Sequence, residues 1–124
     1  MTLARRRVLI TGGGTGAGVG LARGFAATRA ESAPFARTTL DQWNAMLALN
    51  LTGVFRTLRE GLNQMPGWGR LMAIASAAGL KGYLYVAPYV AAKHGVVGPT
   101  RALALEVAKN PITVNAIAIS GGEA

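Results

Sequence analysis

The chain has 124 residues, no cysteine, one histidine and a formal net charge of +8. The absence of cysteine excludes disulfides, thiol catalysis and cysteine-ligated metal centres, and a single histidine excludes histidine-rich metal sites. The 13 lysines and arginines are scattered, so the charge pattern does not favour nucleic-acid binding. No apolar run approaches the roughly 18 residues of a membrane span. We therefore expect a cytoplasmic protein with a single domain over residues 1–124.

The N-terminal part of the sequence predicts a strand, a glycine-rich loop and a helix in that order. Residues 7–11 are apolar or β-branched and indicate a short buried strand, residues 12–16 form the loop, and residues 17–28 have helical apolar spacing. Glycines at such a turn let the backbone approach a pyrophosphate, and the helix N-terminus offers free N–H groups. This order predicts a dinucleotide site made by Gly12, Thr15, Gly16, Ala17 and Gly18.

The remaining sequence alternates between helices and strands. An irregular stretch over 29–38 precedes Thr39 and Gln42, whose spacing is that of a capping box. The box predicts a helix that runs to about residue 63, with an apolar stripe that we expect in the core. The later elements are a strand at 70–75, a helix at 89–108 and a strand at 112–119. This alternation predicts an α/β fold, a Rossmann-like parallel sheet of about three strands flanked by helices.

Three polar side chains of the second half suit acid–base chemistry on an alcohol. Tyr89 and Lys93 are four residues apart on one predicted helix and therefore share a face. An ammonium beside a phenol favours the phenolate, which lowers the pKa of the tyrosine towards neutral pH. Such a tyrosine exchanges a proton with an alcohol or a developing alkoxide. Ser76 ends a predicted parallel strand, where ligands bind in open α/β sheets, and its hydroxyl is suited to hold a substrate oxygen.

Five segments together resemble the short-chain dehydrogenase/reductase family. The glycine loop has the form Thr-Gly-x-x-x-Gly-x-Gly, which differs from the more usual Gly-x-Gly-x-x-Gly spacing and lacks the Gly-Lys-Ser/Thr ending of ATP-binding loops. Four further segments follow in the family's order: Asn-Leu-Thr-Gly at 50–53, Ile-Ala-Ser-Ala-Ala-Gly at 74–79, Tyr-Val-Ala-Ala-Lys at 89–93 and Thr-Val-Asn-Ala-Ile at 113–117.

The resemblance implies an NAD(P)-dependent oxidoreductase that interconverts a secondary alcohol and a ketone, such as a 3-hydroxyacyl and a 3-oxoacyl group. It implies that Tyr89 is the acid/base, that Lys93 lowers the pKa of Tyr89 and binds the nicotinamide ribose, and that Ser76 orients the substrate oxygen. Asn50 then holds a water that links Lys93 to solvent. The helices that carry Asn50 and Tyr89 pair across a dimer axis in such proteins, so a homo-oligomer is expected.

The resemblance also implies which cofactor is favoured and what the chain lacks. Thr15, rather than a basic residue, precedes Gly16, which favours NAD over NADP. Near residues 29–34 the sequence lacks several elements of the family, including the Asn-Ala-Gly strand that lies beside the first strand. It also stops before the family's final strand, and Pro99 interrupts the predicted catalytic helix at a cost of about 3 kcal/mol. A second hypothesis is therefore a protein that binds a nucleotide or self-associates without catalysing.

Overall fold

The computed structural model of the chain describes residues 7–10 and 32–119. Three strands form one sheet in the order β1-β2-β3, with β1 at Arg7–Ile10, β2 at Gly69–Ser76 and β3 at Ile112–Ile119. Both pairings are parallel. The predicted parallel α/β fold is confirmed, and the third strand has the predicted bounds.

The first strand pairs directly with β2, so β2 takes the place beside the first strand that the resemblance assigns to the Asn-Ala-Gly strand. In this register Ile10 is level with Met72, and Ser76 is level with Ile119. Ser76 lies four residues beyond Met72 along β2, so the described part of β1 stops about 13 Å before the end of β2 at about 3.3 Å per residue.

A long helical segment follows a 3₁₀ turn at Phe35–Arg37. It consists of α1 (Leu40–Leu47), a π-helical segment at Ala48–Thr52 and α2 (Gly53–Asn63). The predicted capping box is present, because Thr39 Oγ1 accepts from the Gln42 backbone N at 3.1 Å and Gln42 Oε1 accepts from the Thr39 backbone N at 2.9 Å. The predicted extent is correct, but one π turn replaces regular α-helix in the middle.

The third helix, α3, spans Ala87–Glu106 and runs through Pro99. It begins two residues before the predicted start because Pro88 suits the first turn, where no backbone donor is needed. The side chain of Pro99 is exposed. One residue further on, Thr100 Oγ1 donates to the Val96 carbonyl at 2.7 Å in the buried face of the same turn. The proline thus removes one helical hydrogen bond without ending the helix.

The core lies between the helices and one face of the sheet. Alternate residues of β2, Leu71, Ala73 and Ala75, are buried in a cluster with Leu58 of α2 and Val96 of α3. The apolar stripe of the second helix faces the core as predicted: Leu58 is fully buried, and Val54 and Leu62 are partly buried and pack against the same cluster. Within the described ranges, no helix is long and apolar enough to cross a bilayer.

Candidate functional site

Ser76 is the last residue of β2 and caps a 3₁₀ turn at Ala77–Gly79. Its backbone is extended, and its Oγ accepts from the Ala78 backbone N at 3.1 Å. Because the hydroxyl accepts in this bond, its own hydrogen stays available to donate. The side chain is half-buried at the carboxyl end of a parallel strand, which is where ligands bind in open α/β sheets.

Lys93 lies near the carboxyl end of β2 and is buried, with only 9% of its surface exposed. Its Nζ donates to the Ile74 carbonyl at 3.2 Å, two residues before Ser76, and lies 5.7 Å from the centroid of the Tyr89 ring. Burial lowers the pKa of the Lys93 ammonium, because desolvation penalises its charged form. The structure therefore brings the ammonium, the phenol ring and the end of β2 together.

Two glycines let neighbouring segments approach α3 closely around Lys93. A Cβ at Gly79 would lie 2.9 Å from the Lys93 carbonyl oxygen, and a Cβ at Gly95 would lie 2.8 Å from a methyl group of Leu51. The turn after Ser76 thus contacts the backbone of α3, and the π-helical segment packs against the same helix one half-turn further on. This packing fixes the axial position of Lys93 relative to β2.

Asn50 lies in the π-helical segment and is half-buried. Its Nδ2 donates to Met46 Sδ at 2.8 Å and reaches the Met46 carbonyl oxygen at 3.5 Å. Among the described residues, these bonds hold the amide against its own helix and none joins Asn50 to Lys93 or Tyr89. Single π turns inside α-helices are frequent at functional sites.

The loop between Ser76 and Tyr89 contains a feature that sequence reasoning missed. Tyr85 has a φ of 67°, in the left-handed region, and its carbonyl accepts from the Ala33 backbone N at 2.9 Å. Tyrosine carries no sequence signal for this conformation, which is rare for a bulky residue. The predicted cofactor residues Gly12, Thr15, Gly16, Ala17 and Gly18 lie outside the described residues.

A parallel sheet with helices on its face, and with Ser76, Tyr89 and Lys93 at its carboxyl edge, defines a Rossmann-like α/β domain. The chain belongs to the short chain dehydrogenase family, whose sequence profile matches residues 26–122. Comparison with solved structures agrees with this family. The crystal structure of carveol dehydrogenase from Mycobacterium avium in complex with NAD superposes with a TM-score of 0.73 at 28% sequence identity. The match covers 90% of this chain and 37% of that chain.

Two relatives by sequence are described as a dehydrogenase and a reductase. The chain is 46% identical over 80 residues to a D-beta-hydroxybutyrate dehydrogenase of Rhizobium meliloti (strain 1021), which is 63% of this chain and 31% of that protein. It is 48% identical over 81 residues to a putative ketoacyl reductase of Streptomyces coelicolor, covering 62% of this chain and 31% of the relative. An actinorhodin polyketide ketoreductase variant with NADPH has a TM-score of 0.68 at 42% identity, over 73% of this chain and 36% of that one. The chain thus spans about a third of the length of these relatives.

Proposed function

We propose that this chain carries the catalytic site of an NAD(P)-dependent oxidoreductase that interconverts a secondary alcohol and a ketone. The observation that carries the proposal is the placement of Lys93. A buried ammonium is costly to maintain without a chemical role, and this one lies beside the Tyr89 ring and bonds the carbonyl two residues before Ser76. We assign Asn50, Ser76, Tyr89 and Lys93 as the site residues.

The donor chemistry at the edge of the sheet fits a nicotinamide cofactor, which supplies or takes up the hydride when bound. Lys93 uses one N–H on the Ile74 carbonyl, so two remain for the hydroxyls of a ribose. The Tyr89 hydroxyl is a further donor at the same edge. The preference for NAD over NADP stays a prediction that rests on Thr15. The proposed cofactor residues are Gly12, Thr15, Gly16, Ala17, Gly18, Tyr89 and Lys93.

In this proposal Tyr89 is the residue that donates and accepts the proton. In the reductive direction its hydroxyl donates a proton to the carbonyl oxygen of the substrate, while the Ser76 hydroxyl donates a hydrogen bond to that oxygen. The Lys93 ammonium stabilises the phenolate that remains. Asn50 holds a water through which Lys93 exchanges protons with solvent. In the oxidative direction the phenolate removes the hydroxyl proton. A positioned acid or base of this kind contributes about 10²–10⁴ in rate.

Replacement of the Tyr89 hydroxyl tests this assignment. Tyr89→Phe is expected to lower kcat by about 10²-fold or more, while the Kd for NADH rises by no more than about tenfold, because one neutral hydrogen bond contributes about 0.5–1.5 kcal/mol. Thr57→Ala is the control, since it removes an exposed hydroxyl from α2, and it is expected to retain turnover. Equal kcat in the two variants would refute the role of Tyr89.

The substrate and the assembly are also proposals. Similarity to a hydroxybutyrate dehydrogenase and to a ketoacyl reductase supports a 3-oxoacyl or related ketone. The helical segment α1 to α2 exposes Leu40 and Phe55, which supports pairing of the Asn50 and Tyr89 helices with those of a second copy. Sedimentation of the purified chain, with Phe55→Glu for comparison, tests this pairing. A monomer in both forms contradicts it.

One observation favours a second candidate function, binding of a dinucleotide without turnover. β2 occupies the place beside β1 that the Asn-Ala-Gly strand holds in the family pattern. The end of β1 at Ile10 then lies one strand position, about 4.8 Å, nearer to β2 than the resemblance implies. Misplacement of reacting groups by about 1 Å already costs about 10²-fold in rate. NADH binding with no reduction of any ketone would support this candidate.

A further inference from the structure

The backbone that leads into α3 has an unusual conformation at Tyr85, two residues before the helix. Its φ of 67° is the only positive value for a residue other than glycine in the described ranges 7–10 and 32–119. This conformation is strained for a bulky side chain and is kept only where the surrounding structure imposes it. The Tyr85 ring is 55% exposed, so burial of the side chain does not account for the strain. The fold therefore uses the backbone of this residue rather than its ring.

α3 begins without a capping side chain. Its N-cap, Val86, has φ −129° and ψ 39° and makes no side-chain hydrogen bond to the free N–H groups of the first turn. The first turn also contains no acidic residue, which would interact favourably with the positive end of the helix dipole. Caps of this kind normally stabilise the start of a helix. The position of the first turn of α3 therefore depends on the backbone before it, which is the turn at Tyr85.

A hydrogen bond from a distant segment holds the turn at Tyr85. The Tyr85 carbonyl accepts from the Ala33 backbone N at 2.9 Å. Rotation of φ at Tyr85 into the ordinary negative range would turn this carbonyl, and every residue after it, relative to the preceding loop. Tyr89 lies four residues further on and moves with α3, whereas Ser76 belongs to β2. The conformation of Tyr85 therefore affects the distance between Tyr89 and Ser76.

We propose that the left-handed backbone of Tyr85 positions the first turn of α3, and with it Tyr89, relative to Ser76. The proposal rests on the proposed function and names a positioning residue for its site. Because the φ angle acts and the phenol ring does not, residues that tolerate the left-handed region replace tyrosine without loss of turnover. Glycine and asparagine tolerate this region, whereas a β-branched residue is a genuine outlier there.

Tyr85→Asn and Tyr85→Val are a matched pair that tests the proposal. Both remove the ring, so any contact that the ring makes is lost in both. With NADH and methyl 3-oxobutanoate, kcat is expected to be at least about tenfold lower in Tyr85→Val than in Tyr85→Asn, because misplacement of reacting groups by about 1 Å costs about 10²-fold. The pH dependence of kcat is expected to be the same in both, because Tyr89 and Lys93 stay together on α3.

The turnover results distinguish this inference from the proposed function. Equal kcat in Tyr85→Asn and Tyr85→Val, with turnover in the wild type, overturns the inference and leaves the oxidoreductase assignment intact. Absence of turnover in the folded wild type overturns the proposed function, and the positioning of a catalytic residue with it. If Tyr85→Val does not fold, Tyr85→Leu takes its place, because its Cβ is unbranched but it still does not favour the left-handed region.

Amide hydrogen exchange tests the turn itself without turnover. Exchange of the Ala33 and Val90 amides, which donate to Tyr85 and Val86, is expected to be at least about fivefold faster in Tyr85→Val than in Tyr85→Asn, because strain favours local opening. The Leu71 amide in the central strand is the internal control and is expected to exchange equally in both. Equal exchange at Ala33 in the two variants shows that the turn does not depend on φ at residue 85 and overturns the inference.

Discussion

The close contact between Gly79 and α3 predicts a measurable effect of one methyl group. In Gly79→Ala the new Cβ would lie 2.9 Å from the Lys93 carbonyl oxygen and 3.2 Å from both the Lys93 carbonyl carbon and a Val97 methyl group. Ordinary contact begins near 3.4 Å, so the turn and α3 must separate by about half an ångström. The obstructing atoms are largely backbone, which cannot rotate away. Overpacking of this kind costs about 1–3 kcal/mol in free energy of unfolding.

Gly82→Ala is the matched control, because a Cβ at Gly82 meets no atom within 4 Å. Urea unfolding of both variants gives the comparison, with stability read from the midpoint at constant slope. Gly79→Ala is also expected to lower kcat, since the shift moves Lys93 relative to Ser76. If the free energies of unfolding of the two variants differ by less than about 0.5 kcal/mol, the usual range for neutral surface substitutions, the contact between Gly79 and the Lys93 backbone does not position Lys93.

Three other substitutions have expected outcomes. Burial holds the pKa of Lys93 below its ordinary value of 10.5 in the folded chain. Between the lowered pKa and 10.5 the unfolded chain therefore binds more protons, and the free energy of unfolding rises with pH. Lys93→Met should show a smaller rise in urea titrations between neutral and alkaline pH, and an identical rise refutes the burial argument. Thr39→Ala removes the capping box and should cost about 1 kcal/mol by thermal unfolding, whereas Thr57→Ala on the exposed face of α2 should cost less than half of that. Gly53→Ala at the start of α2, where the new Cβ would meet only the Ala48 carbonyl oxygen at 3.7 Å, should stabilise by about 0.8–1 kcal/mol, and a loss of stability would contradict the helical assignment there.

Most elements of this fold could be predicted because their signals are local. The β-branched run of β3 and the capping box of α1 depend on residues within one segment, and both appear where the sequence indicates. The π-helical segment at Ala48–Thr52 has no such signal. It coincides with the close approach of Leu51 to Gly95, a contact between segments that are more than 40 residues apart. Tertiary packing, rather than intrinsic propensity, decides the local geometry there.

In the site, too, local spacing predicts some features, whereas packing between distant segments determines others. The shared face of Tyr89 and Lys93 follows from helical spacing, and the position of Ser76 follows from its place at a strand end. The bond from Lys93 to the Ile74 carbonyl depends on how α3 lies on β2, which spacing does not determine. The direct pairing of β1 with β2 joins residues about 60 positions apart in the chain, so local sequence signals do not determine it either. The left-handed Tyr85 depends on its contact with Ala33, 52 residues earlier in the chain.

The central claim is that Lys93 and Tyr89 form one wall of a nicotinamide cofactor site. Titration of the purified chain with NADH, followed by the fluorescence of Trp43 and Trp68 with NADPH as comparison, tests it most directly. We expect saturable binding by the wild type and a Kd at least about tenfold higher in Lys93→Met, because loss of a charged hydrogen bond costs about 1.5–3 kcal/mol. No saturation in a folded wild-type chain, or equal Kd values in the two proteins, would contradict it.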